Sequence, residues 1–97
     1  MNDQLEMLRG QKARMLLDND VLSDALNEIE KDIVTRWSMC EPADEKARER
    51  LWQFYKTAQR FRKVLMSYIE TGEYAESMLA DQEKRRSFMD LMRQKVK

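Results

Sequence analysis

Between Ala47 and Tyr68 the residues Ala47, Leu51, Phe54, Ala58, Phe61, Leu65 and Tyr68 follow one another at steps of 4, 3, 4, 3, 4 and 3. That spacing holds one stripe of a helix toward a partner helix over about three heptads, the pattern of a bundle or coiled-coil spine. Trp52, Tyr55, Met66 and Ile69 widen the apolar surface on one flank, beyond what a two-helix seam requires, so more than one neighbour is expected there. Two Gly and one Pro in 97 residues leave little material for tight turns, and the chain reads as all-α.

The rest of the chain divides around this spine. Leu5, Leu8, Met15 and Leu16 recur at helical spacing despite Gly10, whose cost inside a helix is about 1 kcal/mol relative to Ala, so a frail helix is expected at about 3–17. Asp18, Asn19 and Asp20 offer side-chain oxygens to cap a following helix, which marks a turn. Leu22, Ala25, Leu26, Ile29, Ile33 and Trp37 then form one continuous face, a second helix at about 21–38 with Trp37 in the core. It ends within SMCEPAD, because proline disfavours a helical residue before it and suits a first helical turn.

The spine is expected at about 43–71, roughly 43 Å long. Thr71 and Gly72 interrupt the pattern, and glycine commonly closes a helix, so a fourth helix folding back from Glu73 is expected. Residues 80–87, ADQEKRRS, offer no large apolar side chain. The fold expected is a helical hairpin or three-to-four-helix bundle over 1–79 with a basic amphipathic C-terminal arm, or helix extension, over 80–97.

A chemical centre is not expected. The chain has no histidine and one cysteine, Cys40, which removes the commonest general base and the usual zinc ligand sets within one chain. DNDVLSD places Leu22 where a calcium loop needs an oxygen, and it has neither the loop glycine nor the closing glutamate. Neither a nucleophile elbow nor a phosphate-cradling glycine loop occurs. No catalytic residue, metal, cofactor or small-molecule substrate is assigned, and the chain is read as a non-enzyme. A single cysteine forms no intramolecular disulfide and fits a reducing compartment or a particle assembled in one. No basic segment leads into an apolar core near the N-terminus, so neither a signal peptide nor a membrane span is expected.

Charge is balanced overall, 18 acidic and 18 basic residues, but segregated along the chain. Residues 1–45 hold 11 acids against 5 bases, net −6, whereas residues 46–63 hold 1 acid against 7 bases, net +6. At 100° per residue, Lys46, Arg50, Lys56, Arg60 and Lys63 fall within an arc of roughly 140°, largely opposite the apolar stripe. Their counter-charge is either an acidic helix, of the same or a neighbouring subunit, or a polyanion such as nucleic acid. The packing stripe is assigned to Leu51, Phe54, Ala58, Phe61, Leu65 and Tyr68, flanked by Trp52 and Tyr55 as core or interface anchors. In the C-terminal arm Phe88, Met89, Met92 and Val96 lie among Lys84, Arg85, Arg86, Arg93, Lys95 and Lys97, a pattern suited to docking on a partner, with protein the first choice.

The stretches KARMLLDNDVLSDALNEIE, IVTRW, DEKARERLWQFYK and YIETGEYAESML, spanning about two-thirds of the chain, resemble a group of short, functionally uncharacterised all-helical proteins of tailed bacteriophages and prophages. The resemblance implies a phage setting, in the host cytoplasm or the virion, and brings no activity to any residue. Together these features indicate a non-enzymatic protein-interaction protein, homo-oligomeric, serving as a small virion or morphogenesis component. The alternatives are a nucleic-acid-binding module in genome packaging or transcription control, and an inhibitor of a host protein.

Overall fold

The structure, a computed structural model, describes residues 2–95. It contains three helices, α1 (Asp3–Leu17), α2 (Asp20–Ser38) and α3 (Glu45–Lys95), and no strand among the described residues. α3 is 51 residues long, about 76 Å at the standard rise. Arg62 of α3 reaches Glu30 of α2, and Arg14 of α1 reaches Glu73 of α3. Ascending positions on α1 and α2 therefore meet descending positions on α3. α1 and α2 lie end to end along α3, both antiparallel to it, forming a helical hairpin with one interrupted arm. The result is a rod of 83 × 25 × 16 Å with a radius of gyration of 22.5 Å, where a compact chain of this length would have about 12–13 Å.

Local capping sets the boundaries. The side chain of Asn2 accepts from Gln4 N at 2.8 Å, and Asp3 and Glu6 occupy the first turn of α1, where carboxylates meet the positive end of the helix dipole. The break between α1 and α2 is the pair Asp18–Asn19, with Asp18 N bonded to Arg14 O at 2.9 Å and the Asn19 side chain capping Leu22 N at 3.0 Å. Among the described residues none has positive φ. Six residues, Met39 to Asp44, then reverse the chain. They are pinned by Arg48 Nη2 donating to Pro42 O at 2.7 Å and by Asp44 Oδ1 accepting from Ala47 N at 3.1 Å.

The expected end of the spine at Gly72 and the fourth helix from Glu73 are not found: α3 continues through both and on through residues 80–95. The reason lies in the crossing with α1. Gly10 and Gly72 are both buried and face each other backbone to backbone. A Cβ on Gly10 would stand 2.7 Å from Tyr68 O and 2.9 Å from Gly72 Cα, and one on Gly72 would stand 2.9 Å from Gly10 Cα. Glycine here removes side chains from a contact rather than supplying a turn. Ala13 and Ala75 are buried beside it, at 3% and 0% exposure. The small core of Ala13, Leu65 and Ile69, with Leu17 and Tyr68 against it, is therefore built on close helix approach rather than on bulk.

The intrachain seam of α3 runs through Leu51, Tyr55, Ala58, Arg62, Leu65, Ile69 and Gly72, all buried or half-buried. The expected stripe shares Leu51, Ala58 and Leu65 with it but places Phe54 and Phe61 in the contact. Phe54 is instead 54% exposed and Phe61 47%. Arg62 takes a position that hydrophobicity would give to an aromatic, because its guanidinium is satisfied there: Nε donates to Glu30 at 2.8 Å and Nη2 to Asn27 at 3.0 Å. On α1 the contact face is Gly10, Ala13 and Leu17, so Leu5, Leu8, Met15 and Leu16 point away and are exposed. Trp37, expected in the core, is half-exposed.

Two stability outcomes follow from this packing. Gly10→Ala and Gly72→Ala each lower the unfolding free energy in urea denaturation by about 1–3 kcal/mol, because backbone must move. An open helical position would show the opposite sign, a gain of up to about 1 kcal/mol from helix propensity. In a double-mutant cycle, Arg62→Ala and Glu30→Ala show a coupling energy of about 1 kcal/mol, as expected for a partly shielded pair.

Candidate interaction surface

With only a hairpin to cover it, α3 presents its remaining faces to solvent. Among the described residues seven apolar side chains are buried, three of them alanines, whereas twenty large apolar ones remain exposed. They group into two flanks, one on each side of the plane containing the helix axes, and a projecting end.

The first flank holds a groove of about 290 Å³ lined by Ile33, Val34, Trp37, Leu51, Trp52 and Tyr55. Trp52 and Tyr55 stack with centroids 6.3 Å apart, and Lys56 Nζ lies 4.7 Å from the Trp52 ring centroid, a cation–π contact that holds the indole in place. Glu45, Arg48 and Glu49 border Trp37 and Trp52 at the hairpin end. The groove exists because α2 and α3 present their largest rings at adjacent positions and nothing closes over them.

The second flank is a stripe on α3 roughly 100° around from the intrachain seam. Phe54, Thr57, Phe61, Val64, Tyr68, Thr71, Ala75 and Met78 follow steps of 3, 4, 3, 4, 3, 4 and 3 with no charged residue. α1 covers its middle, where Tyr68 and Thr71 are half-buried and Ala75 is buried, and leaves Phe54, Phe61, Val64 and Met78 open. On α1 the positions Leu5, Arg9, Lys12 and Leu16 form one stripe. Arg9 lies over the Tyr68 ring at 4.2 Å, which puts this α1 stripe on the same side as the second flank. Ile29, turned roughly 140° from Val34 on α2, also lies on this side and is 50% exposed. The aromatic spacing of the sequence is thus the sum of two adjacent stripes, one engaged within the chain and one left open mainly at its N-terminal half, at Phe54, Phe61 and Val64.

Lys46, Arg50, Lys56, Arg60 and Lys63 are all exposed, and none forms an ion pair among the described residues. The acidic helix of the same chain is not their counter-charge, because among the described residues the α2–α3 ion pair uses Arg62. Phe88, Met89 and Met92 sit near the end of α3, past the region bordered by Gln4, Met7 and Leu8, and are exposed with Leu91. Val96 lies outside the described residues. Cys40 is half-buried, with Sγ donating to Arg36 O at 3.3 Å. No cluster of three or more metal-ligating side chains occurs among the described residues, and none of their helices is long and apolar enough to cross a membrane.

The arrangement offers a long, rigid apolar face edged by unpaired charge, the combination that gives both affinity and orientation to protein contacts. Comparison with protein-family models, with curated proteins and with solved structures found no match to this chain.

Proposed function

We propose that the chain is a non-enzymatic, self-associating helical protein whose hairpin is one unit of a larger bundle. The supporting observation is its surface. An 11.7 kDa chain folded compactly exposes about 5,900 Å², and this one exposes 8402 Å². The excess, roughly 2,500 Å², is of the size each subunit contributes to an extensive obligate homodimer. Seven buried apolar side chains among the described residues, none wholly buried and larger than alanine, are a slight core for a chain of this size. Association supplies the missing burial. In the phage setting that the sequence resemblance implies, the role is a small virion or morphogenesis component, with Phe88, Met89 and Met92 at the end of α3 docking on a larger partner.

Sedimentation equilibrium at about 10 µM is expected to give a dimer or larger species, with a thermal midpoint that rises with protein concentration. A monomer with a concentration-independent midpoint overturns the reading.

The outward stripe Lys46, Arg50, Lys56, Arg60 and Lys63 supports a second reading, a nucleic-acid contact, since none of the five forms an ion pair among the described residues. That reading expects a salt-dependent mobility shift of DNA or RNA that is lost when Lys56, Arg60 and Lys63 are replaced by Glu. No shift at low salt removes it.

A further inference from the structure

Resting on the self-association reading, we propose that the groove between α2 and α3 is filled by the projecting end of α3 from a second copy. Neither surface has a cover within the chain. In the groove Val34, Trp37 and Trp52 are each about half exposed. On α3 every residue of 80–94 is exposed, roughly 22 Å of helix. That stretch begins beside the first turns of α1, where Gln4 and Leu8 border Leu79 and Arg86, and runs on past them. A helix of this length is marginal when it packs on nothing. Its own groove is out of reach, because Tyr55 and Phe88 lie on one continuous helix, about 50 Å apart. The groove's occupant therefore comes from another molecule.

The two surfaces match in shape and in charge. Phe88, Leu91 and Met92 stand at i, i+3 and i+4, the anchors with which an amphipathic helix enters an apolar groove. A helix laid there turns the pair α2 and α3 into a local three-helix bundle. Beside the groove, Trp37 and Trp52 continue onto a shelf that they share with Glu45, Arg48 and Glu49. Arg48 is committed to Pro42 O, and neither glutamate forms an ion pair among the described residues. Two carboxylates beside two indoles suit a cation. The projecting end offers one in either direction along the groove: Lys84 stands four residues before Phe88, and Arg93 four after Met89, each on the same face as its apolar neighbour. Both cations are exposed and neither is ion-paired among the described residues.

Because the contact joins different surfaces of the two copies, it is heterologous. A row of copies built in this way leaves one groove and one projecting end free at its extremities, the latter for the larger partner.

The test uses two variants of the full chain, Val34→Lys in the groove and Phe88→Glu in the projecting end. Both side chains are more than half exposed, so neither change disturbs the packing within the hairpin. In sedimentation equilibrium each variant alone is expected to associate about tenfold more weakly than the unmodified chain. An equimolar mixture is expected to recover a one-to-one dimer, because Val34→Lys chains keep an intact projecting end and Phe88→Glu chains an intact groove. Variants that associate as the unmodified chain does, or a mixture that associates no more strongly than its components, overturn this contact and leave self-association standing. An unmodified chain that is monomeric at all concentrations overturns both.

Discussion

The contact between Gly10 and Gly72 fixes the geometry from which the rest of the hairpin follows. It lets α1 approach α3 to backbone distance, and that approach decides which residues of α1 face inward. With Gly10, Ala13 and Leu17 in the contact, the leucines at 5, 8 and 16 are turned outward. It also explains why α3 does not stop at its glycine. A helix interior containing Gly is weakened by about 1 kcal/mol, but here the missing Cβ is what admits a second backbone at Gly72. One local cost is offset by packing that a larger residue would forbid.

The helix boundaries before α3 were legible in the sequence because short-range chemistry sets them. Asn19 and Asp44 act through side-chain oxygens on nearby amides, and Pro42 lies in the reversal between α2 and α3. Gly72 was not legible because its role depends on a residue 62 positions away. The seam was only partly legible for a different reason. Two stripes at 3–4 spacing lie side by side on α3, and hydrophobicity favours Phe54 and Phe61 of the open stripe over Tyr55 and Arg62 of the engaged one. Only knowledge of Glu30 and Asn27 across the interface tells that an arginine belongs in the contact. Of the interaction surface, the residue types were visible but not the face each one occupies.

Segregation of charge along the chain turns into segregation around the rod. Glu30 and Arg62 carry the acidic–basic match between α2 and α3 inside the hairpin, and the remaining cations of residues 46–63 face outward, apart from Arg48, which is tied to a loop carbonyl. Such a surface suits a molecule that recognises orientation, because unpaired charges at the edge of an apolar face cost little when solvated and disfavour wrong registers.

The interruption at Asp18–Asn19 divides the rod into two segments that touch chiefly through α3. α1 covers the middle of α3 and α2 the N-terminal part, and the two arms meet little except near the break itself. Stability in such an arrangement is close to a sum over neighbouring segments, as in linear repeat arrays, rather than the property of one central core. Either arm can therefore open while the other stays docked, and α3 carries the record of which half is covered.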